Sequence, residues 1–193
     1  MTSDQIKKSA LKYFAQNGYE GASLSHIATD VGIKKQSIYT HFKGKDELFL
    51  QLCSDVFDHE ILNIKEFLIK NSEQSVKEVL YSFLIHCIER YEKLDSAKFM
   101  IRISFFPPAH LSSEVLEEVY HYLDELEALF LPILETAADR GEIRSSIDVS
   151  KATAAFLGVM DAVIVEMLYG GPVRLQKRLD ASWYLYWNGL MNE

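Results

Sequence analysis

Lys34, Lys35, Gln36, Ser37 and Thr40 fall within seven residues, inside the stretch GIKKQSIYTHFKGKDEL that runs from Gly32 to Leu48. Side chains of these types can read the edges of base pairs. A glutamine amide meets adenine N6 and N7 together, a lysine reaches guanine O6 and N7, and a threonine methyl touches that of thymine. Tyr39, His41 and Lys45 flank them and suit phosphate oxygens, and a helix opening at Gly44-Lys45 turns its N–H groups toward another phosphate. Drawn as a helix, residues 35–42 place Ile38 and Phe42 on one side and Gln36, Ser37 and Thr40 on the other. Lys34 and Lys35 then sit at the N-terminal end, which in a recognition helix meets base edges. A short basic stretch is equally what a solvated helix face looks like, with Tyr39 and His41 padding a core, and periodicity alone leaves both readings open.

The elements that must hold this segment are helical. The first helix is expected to start at Thr2, with Gln5 completing a capping box, and carries Ile6, Ala10 and Phe14 on one face until Asn17-Gly18 ends it. A second, capped by Ser23, bears Leu24, Ile27, Ala28 and Val31 and stops at Gly32. The third spans about Lys35–Phe42. Three short helices with a glycine turn before the last describe a helix-turn-helix. Beyond it the pattern predicts helices over about 45–70, 74–93, 96–106, 112–140 and 149–169, and a last one after Gly170-Gly171-Pro172. Phe105-Phe106-Pro107-Pro108 enforces a break, Pro132 should kink or split the helix over 112–140, Gly141 caps it, and Asp148 caps the next. The fold class is all-α: a three-helix head over residues 1–46 and a larger helical bundle over 47–193.

Charge is divided between these parts. The 193 residues carry a net charge of -8. Residues 1–50 hold seven lysines and five acids, a balance of +2, and residues 51–193 hold the other 13 bases and 23 acids, a balance of -10. A basic head on an acidic body points to nucleic acid for the head alone. Cys53 and Cys87 lie in apolar periodic segments and read as reduced core thiols. The six histidines show no metal-ligand spacing, and no Gly-rich phosphate loop or nucleophile–base constellation is present, so no catalytic residue, metal or cofactor is expected. The N-terminus has no apolar signal segment, and the longest apolar run, Ala154–Tyr169, is short for a membrane span and broken by Asp161 and Glu166. A cytoplasmic protein without a membrane partner is expected.

Residues 6–50 resemble the DNA-binding region of the TetR family of bacterial transcriptional repressors. The resemblance is carried by Ala10, Phe14, Gly18, Tyr19, Ile27, Ala28, Gly32, Ile33, Ser37, Ile38, Tyr39, His41, Phe42, Lys45 and Leu48. It departs from the family's usual pattern at Ala22, at His26, where an acid would complete the capping box of Ser23, and at Lys34-Lys35-Gln36. Gln36 puts a side chain where the family often has glycine, and is expected to carry sequence readout. The resemblance implies a DNA-binding set of Ser23, Ser25, Lys34, Lys35, Gln36, Ser37, Tyr39, Thr40, His41 and Lys45.

It also implies a body that dimerises and senses a ligand. The 149–169 helix is apolar almost all round and must be buried on more than one side. With Leu157 and Ile164 from it, and Leu179, Trp183, Trp187 and Leu190 from the last helix, a four-helix interface between two copies is expected; a large monomer core is the alternative. Tyr81, Phe83, His86, Phe99, Met100, Ile103, Phe106, Tyr120 and Met160 come from helices that surround the family's central cavity and are expected to line an adaptable apolar pocket; plain core packing is the other reading of each. His86, Asp161 and Glu166 are its candidate polar anchors. The function expected is a homodimeric regulator that represses transcription until a small-molecule effector releases it from a pseudo-palindromic double-stranded operator. The alternative is a helical small-molecule-binding protein or enzyme that keeps the helix-turn-helix as scaffold.

Overall fold

A computed structural model describes residues 3–191. Within them lie nine α-helices and one 3-10 turn: α1 Ser3–Gly21, α2 Leu24–Val31, α3 Lys35–Ile38, α4 Lys45–Lys70, α5 Val76–Lys93, α6 Asp95–Phe105, the 3-10 turn Ala109–Leu111, α7 Ser112–Asp139, α8 Val149–Tyr169 and α9 Gly171–Met191. The fold is all-α. The expected cap Thr2 lies outside the described residues.

The chain forms two compact units. The first runs through Glu60 and adds Glu92–Tyr122; the second comprises Ile61–Tyr91 and the chain from Leu123 onward. α4 and α7 each contribute residues to both. The first unit is built around four aromatic rings. Phe49 meets Phe14, Tyr19 and Phe99 edge-on, at centroid distances of 5.1, 5.0 and 5.5 Å. Phe14 and Phe99 complete the cluster at 6.2 Å. Edge-to-face pairs of this kind add to what burial of the rings already contributes. They tie α1 to the start of α4 and to α6, a helix about 80 residues away in sequence. Gly18 breaks α1 with φ of 69°, a backbone state that favours glycine, and Arg102 of α6 covers it: a Cβ there would lie 3.1 Å from the guanidinium.

The second unit has its own core, in which Phe83 lies 4.8 Å from Phe130 and Phe130 lies 5.0 Å from Phe156. α5 opens on a capping box: the Glu78 carboxylate accepts from Ser75 N–H at 3.1 Å and Ser75 Oγ accepts from Glu78 N–H at 3.4 Å. Asp148 caps α8 by accepting from Lys151 N–H. α7 is continuous across Pro132, so the expected split does not occur. Pro132 and Ala128, whose carbonyl loses its helical donor, both lie on the exposed side, where water can satisfy the carbonyl. α8 is long and apolar enough to cross a membrane by length and composition. Its Glu166, however, is buried and held by Arg174 of α9 at 3.1 and 3.3 Å and by Arg178 at 3.4 Å. Gly170 leaves room for this placement: a Cβ on it would lie 1.8 Å from the Glu166 Oε2, and the carboxylate would have to shift.

Candidate nucleic-acid interface

The helix-turn-helix is positioned by its caps. Ser23 Oγ accepts from His26 N–H at 3.2 Å, and with histidine at that position no reciprocal side-chain bond forms. Ser23 therefore works as an N-cap, and Ser25, the second residue of α2, is exposed. Gly32, with φ of 75°, closes α2: its own N–H bonds Thr29 O and Ile33 N–H reaches Ala28 O.

α3 is shorter than the expected span to Phe42. Its regular part ends at Ile38, and Lys34 gives it no side-chain cap. The Thr40 hydroxyl donates to Ser37 O at 2.7 Å, and His41 N–H pairs with Ile38 O at 2.9 Å instead of continuing the ladder to Ser37. A threonine that bonds back to a nearby carbonyl competes with the helical bond. The chain still coils as far as Phe42, whose N–H bonds Ile38 O at 3.0 Å, so the facing of the segment survives. Ile38 and Phe42 are buried. Lys34, Lys35, Gln36, Tyr39, Thr40 and His41 are exposed and Ser37 is half-buried. The candidate readout groups thus share one open surface.

Lys45, the first residue of α4, is half-buried with its ammonium 4.1 Å over the Tyr19 ring. Partial burial lowers its pKa, while Glu20 and Asp46 work against that shift. The two acids that follow it are turned to other partners. Asp46 accepts from the Tyr19 hydroxyl and lies 3.6 Å from His110. The Tyr19 bond, with His110 adding, holds its carboxyl below the ordinary range, while burial and the Asp46 bond push the tyrosine up. Glu47 accepts from Lys43 N–H. Acids in the first turn complement the helix dipole, and here both have partners beside the lysine. Tyr19, Asp46 and His110 were missed as site-supporting residues. They lie 27 and 64 positions apart along the chain, and no local pattern connects them.

The nine residues expected to line a pocket are divided between the units. Phe99 is fully buried between Phe14 and Phe49 and packs in the core of the first unit. Met100 and Ile103 are buried on the same helix, whereas Phe106 and Tyr120 are 55% and 61% exposed. In the second unit Phe83 is core, Tyr81 packs on Trp183 at 5.2 Å, His86 stacks on Phe67 at 4.8 Å, and Met160 is buried. Of the candidate anchors, Glu166 is occupied by its arginines and Asp161 lies on the exposed side of α8.

The expected interface stripe also needs correction. Leu179 and Leu190 are 1% and 2% exposed within a single chain, so a partner would have nothing to cover there. Trp183 and Trp187 stack at 5.8 Å and are half-buried, with Tyr81 against the first and Lys77 over the second. Leu157 and Ile164 are half-buried. The apolar groups that α8 and α9 leave open are others: Val165, Val173, Tyr184 and Leu185, the last three between 67% and 82% exposed.

A helix-turn-helix with an exposed basic strip is the class this geometry defines. Residues 6–52 match the family described as bacterial regulatory proteins, tetR family. Over 128 residues it is 30% identical to the biofilm operon icaADBC HTH-type negative transcriptional regulator IcaR of Staphylococcus epidermidis, a match covering 64% of this chain and 62% of that protein. Over 95 residues it is 35% identical to the Staphylococcus aureus protein of the same description, covering 47% and 50%. The chain thus spans about half to three-fifths of the length of these relatives. Similar folds occur in FadR from Bacillus subtilis in complex with stearoyl-CoA, with a TM-score of 0.68 at 21% identity over 96% of this chain and 97% of that one. The reduced form of Escherichia coli NemR gives 0.78 at 13% identity over 100% and 98%.

Proposed function

We propose that the protein is a homodimeric transcriptional repressor that holds a pseudo-palindromic DNA operator and lets go of it when a small molecule binds. The observation that carries this reading is the exposed strip Lys34, Lys35, Gln36 and Thr40, held on a head whose buried Ile38 and Phe42 fix its facing, with Lys45 seated beside it. Relatives described as negative transcriptional regulators support repression. A related fold solved with stearoyl-CoA supports a ligand-responsive body.

In this reading Gln36 reads a base, Lys34 and Lys35 reach guanine or phosphate, and Tyr39, His41, Lys45 and the α4 N-terminus hold phosphates. A second copy covers the open face of α8 and α9 at Val165, Val173, Tyr184 and Leu185. Two heads on a twofold body then address half-sites whose centres lie about 34–36 Å apart, or a multiple of that. α4 is the natural lever for release, since it starts at the phosphate contact and ends among residues of the second unit. An effector would act by binding the DNA-incompetent spacing better than the competent one, for only differential affinity shifts a population. The protein works in the cytoplasm, where its operator is.

A gel-shift titration on the intergenic DNA upstream of its own gene tests the proposal. Affinity should fall with salt at a log–log slope of about -0.9 per neutralised phosphate, and Lys45→Ala should make that slope shallower by about 1 on every sequence. A flat salt dependence would overturn it.

A further inference from the structure

The second unit holds a cleft of about 580 Å³ between the C-terminal turns of α4, the start of α5 and the second half of α7. That volume is in the range of small-molecule sites. None of the residues that sequence reasoning assigned to a pocket lines it. Its walls are aliphatic: Leu68, Ile69, Val79, Leu129, Pro132 and Ile133 contribute, and no aromatic ring or methionine does. Ile69 is 74% exposed at the edge, a large apolar side chain left in water beside an apolar hollow.

The polar groups around the cleft are nearly all occupied. The Glu142 carboxylate accepts from Val76 N–H at 2.7 Å. Gln74 donates to Asn71, Thr136 donates to Pro132 O, and Lys65 pairs with Glu125 at 3.4 Å. Arg140 is different. Among the described residues its guanidinium has no hydrogen bond or ion pair, and it is exposed at the rim. The cleft therefore offers an aliphatic floor with one unengaged cation at its edge. A guanidinium fork matches a carboxylate with two parallel bonds. Walls without rings favour a flexible alkyl chain over a planar aromatic compound. The neighbouring acids already face N–H or ammonium groups, so the charge left over is positive.

We infer that this cleft binds a single-chain aliphatic carboxylate, its chain against Leu68, Leu129 and Ile133 and its headgroup on Arg140. This does not rest on DNA binding: a protein that bound such a ligand but no operator would keep this inference and lose the regulator reading.

The test is isothermal titration calorimetry on the full chain without DNA, using dodecanoate below its micellar concentration. Dodecanol and dodecyltrimethylammonium are the matched neutral and cationic probes. Dodecanoate should bind most tightly and the cation least. Arg140→Gln should weaken dodecanoate roughly three- to tenfold, the range between an exposed pair and a hydrogen-bonded charge, and leave dodecanol unchanged. Ile133→Trp, at a half-buried position, should fill the cleft and weaken both, with helicity by circular dichroism confirming the fold. Undetectable dodecanoate binding would overturn the inference. So would a cation that binds as well as the anion, or an Arg140→Gln variant that loses both probes equally.

Discussion

Replacing Phe99 by alanine separates two readings of the same residue. Its composition suits a ligand pocket, but its ring is fully buried, 5.5 Å from Phe49 and 6.2 Å from Phe14. Removing a fully packed phenylalanine typically costs about 3–5 kcal/mol, the transfer free energy of the ring plus the cavity it leaves. The edge-on contact with Phe49 is itself worth roughly 0.5–1.5 kcal/mol of that. For a chain of this length each kcal/mol lowers the melting temperature by about 2–4 °C, so the variant should melt roughly 6–20 °C lower. Phe99→Leu keeps most of the volume and should cost only about 1–2 kcal/mol. Urea denaturation followed by circular dichroism measures both. Because the ring joins α6 to α1 and α4, operator affinity should fall together with stability and recover on cooling. If Phe99→Ala cost less than about 1 kcal/mol and abolished a ligand response while DNA binding stayed intact, the residue would be pocket wall and the packing argument wrong.

Other outcomes follow from the same geometry. Gln36→Ala should cost on the order of 1–3 kcal/mol on the true operator and little on random DNA, measured by competition gel shift; an equal loss on both would make Gln36 a positioning group. Tyr184→Asp with Leu185→Asp puts two charges on the open face of α9, and sedimentation should show monomers with poor operator affinity but an unchanged melting temperature at low concentration. Hydrogen bonds from Arg174, with its charge and Arg178 adding and burial opposing, hold the Glu166 carboxyl below the ordinary range. A depressed folded-state pKa contributes stability that is present above the unfolded glutamate value of about 4.3 and is lost as pH falls through the folded value. Glu166→Gln should therefore be destabilising near pH 7, and its urea midpoint should converge with that of the wild type on the acid side.

Local features were legible in the sequence and partnerships were not. Ser23, Gly32, Gly141 and Asp148 announce their helix ends, and Gly18 a break inside α1 where its end was expected, because caps and left-handed residues act within a few positions. The exposed readout strip was legible for the same reason, since Ile38 and Phe42 one turn apart fix which way Gln36 faces. The length of α3 was not, because a single hydroxyl at Thr40 decides where the regular ladder stops. The stripe Leu179, Trp183, Trp187 and Leu190 showed that α9 buries one face, but an apolar stripe reads the same whether a chain's own core or a partner covers it. Phe99 and Phe83 pack on neighbouring rings, which composition alone does not distinguish from lining a pocket, because cores and pockets draw on the same side chains. The Tyr19–Asp46–His110 contacts join segments that only the folded chain brings together.

Gly170 has a consequence for how this protein can change over generations. A side chain there meets the Glu166 carboxylate, so a substitution at position 170 must displace that carboxylate from its arginines. Glu166, in turn, cannot be lost without leaving Arg174 and Arg178 facing a slot with no counter-charge. The four positions are therefore coupled: losing both arginines would strand the buried Glu166 carboxylate, whereas losing Glu166 leaves two largely exposed arginines in water and opens room at the turn. Related sequences should vary at these sites together, with the change at Glu166 accompanying or preceding those at the arginines.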